Sequence, residues 1–353
     1  MSVEKLRFCF IGVGRRGLEH MRVASRFKEI SLEAACDIDE ARLREVASAY
    51  GVRTYTDLDE MLSKEKLDVA VISTPTPLHV SQTIKCIEAG LDVLLEKPIS
   101  LNINEANELL KAVQKSDRIV AVGFQTRYLD VVDKIKESID YDTLSMIVGY
   151  WYWTVPIVKW IRRRDQGGGQ IVDQAIHLID LFRFFVGEEV NTVYAVYTEK
   201  GRNTKEDKEV GFDNWASYVV ALRFNNDTIG CIYSTYALYP GVFRTKERKE
   251  VKDLATRESS VVIDIICREM LIRYRYPLVA TIHRRDRELS VYKATKDATA
   301  SMYKAFIKAV LTRDKKLIRT PYEDSYKTMA IALAANESAT TGKIIRIEEF
   351  VKG

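Results

Sequence analysis

The stretch that decides the fold is LRFCFIGVGRRG, residues Leu6–Gly17. Its apolar first half, Leu6–Ile11, has the length of a buried strand, and it leads directly into three glycines spaced as G-x-G-x-x-G. In a dinucleotide-binding turn of this kind, Gly12 permits the tight turn, Gly14 lets the backbone approach a pyrophosphate, and Gly17 lets the next helix close on the strand. Taken alone, the spacing is also compatible with an ordinary glycine-rich turn.

The residues that follow favour the dinucleotide interpretation. The pattern predicts a helix over Leu18–Ile30 and a second strand over Ser31–Cys36, which ends on Asp37. This carboxylate follows Gly17 by 20 residues, where a dinucleotide-binding βαβ unit carries the acid that binds the ribose hydroxyls. The N–H groups at the start of the helix would then face the phosphates. Strand, glycines, helix and acid together predict a dinucleotide site.

Composition indicates a soluble protein of about two domains. The chain has 353 residues, 46% of them apolar and 29% charged, and its 54 basic and 50 acidic residues are dispersed, which argues against a nucleic-acid surface. The first residues lack a signal-peptide pattern, and no apolar run approaches the roughly 18 residues of a membrane span. The cysteines show no C-x-x-C spacing, so we expect reduced thiols in a cytoplasmic protein and no metal site. They are Cys9, Cys36, Cys86, Cys231 and Cys267.

Strand and helix patterns alternate over residues 1–124. Later strands in this half, such as Val69–Ser73 and Leu91–Leu95, are nearly continuous apolar runs, which is typical of parallel strands buried on both faces. We therefore predict an α/β Rossmann domain, with a doubly wound parallel sheet, over residues 1–124. Ligands of such sheets bind beyond the carboxyl ends of the strands. That rule places one cleft at Gly12–Gly17, Asp37, Ser73–Pro77, Glu96–Pro98 and Gln125.

Lys97 is the first residue of this cleft with a clear chemical use. A lysine that directly follows a buried strand and faces a cofactor can donate a hydrogen bond to a substrate hydroxyl and stabilise the negative charge that develops there. The alternative is a solvated lysine at a strand end. His79 stands near a helix start, where a histidine more often caps or packs than catalyses.

The pattern changes after residue 125, and we predict an α+β domain with a large, mainly antiparallel open sheet over residues 125–353. Its predicted strands are Tyr150–Trp153, Thr192–Thr198, Trp215–Phe224, Thr228–Tyr236, Ser260–Arg273, Glu288–Tyr292 and Lys343–Ile347. The polar stretch Gly201–Gly211 predicts a mobile surface loop. Tyr218–Leu222 is apolar on both faces, so we expect both to be covered, one of them by the sheet of a partner subunit. A predicted helix over Tyr322–Thr341 could pack back on the first domain.

A predicted helix over Gln170–Phe185 carries the second group of chemically active residues. Asp173 and His177 are four residues apart, so both would lie on one face of this largely buried helix. A buried carboxylate beside an imidazole can form a general base and its orienting partner. The alternative is a hydrogen-bonded polar pair in a helix core. The preceding run Arg162–Arg164 is compatible with a solvated loop and with a site for an anionic substrate group.

Several motifs together resemble the glucose–fructose oxidoreductase/inositol dehydrogenase (Gfo/Idh/MocA) family over nearly the whole chain. The matching segments are GVGRRG (12–17), ACDID (35–39), STPTPLH (73–79), AGLDVLLEKP (89–98), GFQTRY (123–128) and GGGQIVDQAIHLIDL (167–181). The resemblance implies a Rossmann domain, NAD(P) as cofactor, and a C-terminal sheet domain that serves both substrate binding and oligomerisation. Thr76 departs from the pattern, because many members carry asparagine at that position.

The same resemblance implies a set of site residues. The catalytic residues would be Lys97, Asp173 and His177, and weaker candidates for the substrate pocket are Arg127, Tyr128 and Trp160. The cofactor contacts would be Gly12, Val13, Gly14, Arg15, Arg16, Gly17, Asp37, Ser73, Thr74, Pro75, His79, Glu96, Lys97 and Gln125.

The expected reaction is reversible oxidation of a secondary alcohol on a sugar, an inositol or a related polyol. His177 would take the hydroxyl proton, Lys97 would hydrogen-bond the same oxygen, and Asp173 would help to hold the substrate and the base. Two other functions stay open. One is a regulatory protein that senses NAD(P) without turnover, and the other is a glycosidase that uses bound NAD⁺ transiently.

Cofactor choice and assembly complete the expectations. Asp37 favours NAD, because its charge repels the 2′-phosphate of NADP. NADP remains possible, since Arg15, Arg16 and Arg42 could partly offset that repulsion. We expect a homodimer or homotetramer that forms through the C-terminal sheet.

Overall fold

The computed structural model describes residues 5–156, 158–201, 205–238 and 259–352, and it confirms the predicted fold class, a parallel Rossmann sheet followed by a large, mainly antiparallel sheet. The chain divides into two compact units. The first takes the residues up to Tyr128 and also Asp297–Tyr326, and the second takes Leu129–Lys296 and the residues from Lys327 onward. This division differs from the expected boundary between residues 124 and 125 mainly because residues 297–326 group with the first unit.

The first unit is built on a six-stranded parallel sheet. Its strands are β1 (Leu6–Ile11), β2 (Ile30–Cys36), β3 (Arg53–Tyr55), β4 (Val69–Ile72), β5 (Asp92–Leu95) and β6 (Val120–Val122). Its helices are α1 (Arg15–Ala24), α2 (Glu40–Tyr50), α3 (Leu58–Lys64), α4 (His79–Glu88), α5 (Ile103–Lys115) and, numbered by its place along the chain, α11 (Ala298–Thr312). The strand order β3-β2-β1-β4-β5-β6 reverses direction between β1 and β4, which is where doubly wound sheets bind their ligands.

Helix α11 is absent from the sequence-based prediction, although its own pattern carries the signal. Asp297 caps it by accepting a hydrogen bond from the Ala300 N–H at 3.0 Å. Its buried apolar positions recur at helical spacing: Met302, Tyr303, Phe306, Ile307 and Val310. The ring of Tyr303 stacks on Phe8 of β1 with 6.4 Å between the ring centroids. A segment from late in the chain therefore completes the core under the first sheet.

The second unit is built on a nine-stranded sheet. Its strands are β7 (Met146–Tyr152), β8 (Val190–Thr198), β9 (Ser217–Phe224), β10 (Ile229–Thr235), β11 (Val261–Cys267), β12 (Met270–Arg275), β13 (Val279–Arg284), β14 (Ser290–Lys293) and β15 (Ile345–Arg346). Its helices are α6 (Asp130–Ser138), α7 (Arg164–Gly167), α8 (Gln170–Asp173), α9 (Ile176–Val186), α10 (Lys205–Glu209), most of α12 (Tyr322–Thr341) and α13 (Ile347–Phe350). The order is β14-β13-β12-β11-β7-β10-β9-β8-β15, and the β7–β10 pair is parallel while the other pairs are antiparallel.

Three segments around the sheet of this unit differ from the sequence-based prediction, besides the helix predicted over Gln170–Phe185, which is divided into α8 and α9. The single strand predicted over Ser260–Arg273 is a hairpin, because Arg268 and Glu269 form a turn between β11 and β12. Strand β13 is absent from the prediction. The loop predicted over Gly201–Gly211 contains the short helix α10, while residues 202–204 lie outside the described residues.

The side chains of β8 and β9 alternate between a buried face of the second sheet and an open one. Tyr218 and Val220 are buried, whereas Val219 is 46% exposed and Tyr194 on β8 is 42% exposed. The chain itself therefore covers one face of this pair, and apolar side chains stand on the other. Covering of that face by a partner subunit stays a prediction.

Crossing a bilayer requires a helix that is both long and apolar. Across the part of the chain that the structure describes, no helix combines the two properties.

Candidate active site

The glycine-rich turn after β1 admits only glycine at two of its positions. Gly12 has a φ of +82°, and a side chain there would come within 2.8 Å of the backbone joining Ser73 to Thr74. A side chain at Gly17 would overlap the carbonyl oxygen of Gly12. The close approach of β1, β4 and α1 therefore depends on both glycines.

Helix α1 begins directly after this turn, and no side-chain cap binds its first N–H groups. Gly14, the residue before the helix, provides no side-chain cap, and the first turn contains no acidic residue. A side chain at Gly14 would meet only the tip of Arg42, 3.5 Å away. Arg15 and Arg16 form the start of the helix. The space and the N–H donors that a pyrophosphate requires are therefore both present.

Two backbone N–H groups fix the carboxylate of Asp37 just after β2. Oδ2 accepts a hydrogen bond from the Val13 N–H at 2.8 Å, and Oδ1 accepts one from the Asp39 N–H at 3.0 Å. The carboxylate is thus tied to the glycine-rich turn, as a ribose-binding acid should be. Arg42 is engaged close by, with 3.2 Å between its Nε and Oδ2 of Asp39.

Three polar side chains of the predicted cofactor set bind the protein itself. Ser73 Oγ donates to the Gly12 carbonyl at 2.8 Å, and Thr74 Oγ1 donates to a neighbouring glutamine at 2.6 Å. The buried ring of His79 lies between the carbonyl oxygens of Pro98, at 2.7 Å, and Thr74, at 2.8 Å. Burial lowers the pKa of His79. These contacts hold the loops that follow β4 and β5.

Two buried side-chain oxygen atoms at the same edge of the sheet have no hydrogen-bond partner among the described residues. They are Oγ1 of Thr76 and Oε1 of Gln125. Thr76 follows Pro75 and begins a 3-10 turn, and Gln125 begins another after β6. A buried polar atom without a partner costs free energy, so a bound polar molecule at this edge would be stabilised. Together with the open start of α1, these atoms fit a dinucleotide.

Lys97 follows β5, and the residue before it is tied to helix α1. Glu96 Oε1 accepts hydrogen bonds from Arg16 Nε at 2.7 Å and from His20 Nε2 at 2.8 Å. Oε2 of Glu96 accepts one from the Lys97 N–H at 3.2 Å. Burial alone would raise the pKa of Glu96, but the Arg16 charge and the His20 hydrogen bond hold that pKa well below its usual range. Glu96 is therefore a buried, ionised carboxylate.

Asp173 and His177 lie where two short helices meet, so the prediction of one continuous helix over Gln170–Phe185 is wrong. The Ala175 N–H bonds to the Gln170 carbonyl, five residues back, and the His177 N–H bonds to the carbonyl three residues back. The ladder is therefore interrupted between α8 and α9, an irregularity that is frequent at functional sites. Both side chains are 8% exposed.

Tyr236 holds the Asp173 carboxylate, a contact that the sequence-based prediction missed. Its hydroxyl donates to Oδ2 of Asp173 at 2.8 Å, and Tyr236 is fully buried. Burial raises the pKa of Tyr236, and the negative charge of Asp173 raises it further, so the phenol stays protonated and can donate. The two residues are 63 positions apart, and no local pattern marks either as the partner of the other.

Two aromatic rings flank the imidazole of His177. The ring of Trp151, on β7, is stacked on it with 5.8 Å between centroids, and the ring of Tyr276, just after β12, is 6.3 Å away. The sequence-based prediction missed both rings as neighbours of His177. Side chains alternate along a strand, so Trp151 and Tyr150 of β7 lie on opposite faces of the sheet. The second unit thus packs the candidate base against two aromatic rings and holds the candidate acid, four residues earlier, through Tyr236.

Two of the three substrate candidates lie in the packing of the first unit. Arg127 pairs with Asp324, with 2.6 Å between Nη1 and Oδ2, and the Tyr128 hydroxyl accepts a hydrogen bond from the Arg319 N–H at 2.9 Å. Both side chains are buried. Trp160 is half-buried in a 3-10 turn of the second unit.

The three consecutive arginines have protein partners. Arg162 Nε donates to the Pro156 carbonyl at 2.7 Å, and Arg163 forms an exposed ion pair with Asp165 at 3.1 Å. The guanidinium of Arg164 lies over the ring of Trp215, 4.4 Å from its centroid. These contacts favour a structural loop over a site for an anionic group.

The candidate catalytic residues come from both units. Lys97 belongs to the first unit, while Asp173 and His177 belong to the second. Their convergence on one reacting carbon stays a prediction. In residues 5–156, 158–201, 205–238 and 259–352, no group of three or more histidine, cysteine or carboxylate side chains could hold a metal ion.

Two family models match this chain. The first, an oxidoreductase family with an NAD-binding Rossmann fold, matches residues 6–124, and the second, a GFO/IDH/MocA C-terminal domain, matches residues 139–251.

Individual proteins are similar over different shares of the chain. The myo-inositol 2-dehydrogenase of Thermotoga maritima is 26% identical, with 98% of this chain and 100% of the relative aligned. An inositol 2-dehydrogenase of Rhizobium meliloti is 30% identical over 54% of this chain and 58% of its own. The crystal structure of the WlbA dehydrogenase from Bordetella pertussis, in complex with NADH and UDP-GlcNAcA, has a TM-score of 0.78 at 23% identity, covering 97% of this chain and 99% of that one.

Proposed function

The chain belongs to the Gfo/Idh/MocA family of oxidoreductases, with NAD as cofactor, and we propose that it oxidises a secondary alcohol of a sugar, an inositol or a related polyol. The observation that carries this proposal is the buried Asp173 carboxylate, which the Tyr236 hydroxyl holds, with the buried His177 four residues further along the chain. Such a set suits a hydroxyl group whose proton must leave. The inositol dehydrogenases of Thermotoga maritima and Rhizobium meliloti support the same class of substrate.

The first unit supplies the residues that would hold the cofactor, and bound NAD⁺ would accept the hydride from the carbinol carbon. Asp37 would accept hydrogen bonds from the ribose hydroxyls, and the N–H groups at the start of α1 would bind the pyrophosphate. Arg16 is bound to Glu96, and Arg42 is bound to Asp39. Because both arginines already pair with carboxylates, they are poorly placed to neutralise a 2′-phosphate. These ion pairs therefore support NAD over NADP.

Four side chains carry the proposed chemistry at the substrate hydroxyl. His177 accepts the substrate hydroxyl proton on an imidazole nitrogen, and Asp173 stabilises the imidazolium that results. Tyr236 keeps the Asp173 carboxylate in one orientation throughout. Lys97 donates a hydrogen bond to the same substrate oxygen and stabilises its developing negative charge.

The test is NADH formation across a panel of inositols, sugars and sugar acids. With a substrate found, Lys97→Ala and His177→Ala should each lower kcat by about 10²-fold or more, with the Kd of NAD⁺ changed by less than about threefold. His283→Ala is the matched control, because His283 is an exposed histidine on β13 and should leave kcat unchanged. Wild-type rates in both active-site variants would refute the catalytic roles of Lys97 and His177.

The same assay separates the two alternative functions. A protein that only senses NAD(P) would bind the cofactor and form no NADH with any member of the panel. A glycosidase that uses NAD⁺ transiently would release a cleaved glycoside without net NADH. The family and the relatives favour neither alternative.

We also propose that the open face of the second sheet joins subunits into a homodimer or homotetramer. Val196 and Val219 stand there 45% and 46% exposed, and the rings of Tyr150 and Tyr152 stack at 4.5 Å on the same sheet. Val219→Glu should shift the sedimentation coefficient toward that of the monomer. Leu289→Glu, at another exposed apolar site, should not. A cytoplasmic location is proposed on separate grounds, because all five cysteines are free thiols.

A further inference from the structure

A buried group of three ionisable side chains joins helix α1 to the end of β5. We call Arg16, His20 and Glu96 the α1–β5 cluster. Glu96 Oε1 accepts from both of the others, at 2.7 Å from Arg16 Nε and 2.8 Å from His20 Nε2. His20 is fully buried and Glu96 is 6% exposed. Charge-assisted hydrogen bonds of this length are the strong ones in proteins, so the carboxylate is firmly held.

Further contacts remove the remaining freedom of this cluster. His20 Nδ1 lies 3.1 Å from the hydroxyl of Tyr303, and burial holds the pKa of Tyr303 well above its usual value. The phenol can therefore donate to Nδ1, which leaves the Nε2–H of His20 to donate to Glu96. On its other side the Glu96 carboxylate packs against Gly123, where even a methyl group would come within 2.9 Å of Oε1. These contacts hold the Glu96 side chain in one conformation.

The second carboxylate oxygen of Glu96 reaches the backbone of the candidate catalytic lysine. Oε2 accepts from the Lys97 N–H at 3.2 Å. The Lys97 amide nitrogen is bonded to the Cα that carries the lysine side chain, so a fixed Glu96 restrains the backbone at the point where that side chain begins. The sequence motif places Arg16 and Glu96 among the cofactor contacts, but the structure directs both side chains to each other.

We propose that Glu96 is a positioning residue for Lys97, and that Arg16 and His20 act by holding the Glu96 carboxylate. The proposal rests on the proposed function only in that Lys97 contacts the substrate. It assigns the α1–β5 cluster no contact with the substrate.

A double-mutant cycle tests this positioning role in the NAD-loaded enzyme. Glu96→Gln should lower kcat by about 10- to 100-fold, because small misplacements of a catalytic group cost this much. In a Lys97→Ala background the same change should alter kcat by less than about twofold, since the group being positioned is already gone. A merely structural role would instead lower kcat by a similar factor in both backgrounds.

The hydride isotope effect gives an independent readout. With substrate deuterated at the reacting carbon, the isotope effect on kcat should rise in Glu96→Gln, because the chemical step becomes slower relative to product release. A loss of correctly folded enzyme would leave the isotope effect unchanged. Glu19→Gln is the matched control, because Glu19 pairs with the same Arg16 at 2.7 Å but its side chain is 42% exposed, outside the buried cluster. It should behave as wild type in every assay.

Arg16→Met provides the second route if Glu96→Gln does not fold. It removes the cation that holds the carboxylate, and it should reproduce the loss of kcat and the non-additivity with Lys97→Ala. Equal losses in both backgrounds, or full activity in a folded variant that binds NAD⁺, would overturn the positioning role. Failure of the proposed function would show itself differently, as an unimpaired Lys97→Ala enzyme.

Discussion

Replacing Tyr236 with phenylalanine should weaken the second unit and its chemistry together. The change removes one hydroxyl and leaves the ring, so the packing around it is kept. Its hydroxyl donates to Asp173 at 2.8 Å in a site where both residues are buried. A hydrogen bond to a charged group contributes about 1.5–3 kcal/mol, and its loss leaves a buried carboxylate with fewer donors. We expect the free energy of unfolding at pH 7 to fall by about that amount.

The measurement is equilibrium urea unfolding, followed by fluorescence and by circular dichroism. The midpoint should move to lower urea concentration while the slope stays constant, which marks a change in stability alone. Tyr141→Phe is the control, because Tyr141 is 45% exposed in the turn before β7 and should change stability by less than about 0.5 kcal/mol. In the catalytic assay, Tyr236→Phe should lower kcat by about tenfold or more. Equal midpoints for the two variants would refute the view that the Tyr236 bond matters.

Three further predictions concern the first unit. Gly17→Ala should abolish NAD binding and lower the melting temperature, because its methyl group would overlap the carbonyl oxygen of Gly12. Gly51→Ala is the control, since Gly51 has open space around it and a φ of +68°. It should lower the free energy of unfolding by only about 1–2 kcal/mol and keep NAD binding. Asp37→Ala should raise the Kd of NAD⁺ by about tenfold or more and that of NADP⁺ by less; calorimetry with both cofactors measures this, and an unchanged ratio would contradict it. The Glu96 pKa is lowered on folding, so its contribution to stability is present above the unfolded value near 4.5 and is lost as the pH falls below it. Unfolding curves between about pH 3 and pH 7 should therefore show a shallower loss of stability toward acid in Glu96→Gln than in wild type.

The parts of the fold that could be predicted are those that depend on residues close together in the sequence. The run from Leu6 to Gly17 specifies strand, turn and helix through apolar length and glycine spacing, and Asp37 follows at the expected distance. The cap and the apolar spacing of α11 are present in the same form, so this helix was predictable as well. The turn at Arg268 and Glu269 is likewise marked by two charged residues inside an apolar run.

The parts that could not be predicted depend on contacts between distant residues. Tyr236 and Asp173 are 63 positions apart, and Arg16 and Glu96 are 80 apart. The break between α8 and α9 has the same origin, because Gln170 reaches across to the Thr235 carbonyl at 2.7 Å and anchors α8 to β10. A helical pattern in the sequence contains no information about such an anchor.

The return of residues 297–326 to the first unit has a consequence for how the chain can be divided. A fragment that stops at residue 128 would carry every strand of the parallel sheet and still expose Phe8, because Tyr303 and Phe306 of α11 would be missing. Helix α12 has its first residues in one unit and the rest in the other. A truncation that removes this helix would therefore delete residues from both units. A single cut in the chain therefore cannot separate the complete nucleotide-binding unit from the rest of the protein. Any exchange of halves between relatives must transplant two separate pieces of chain.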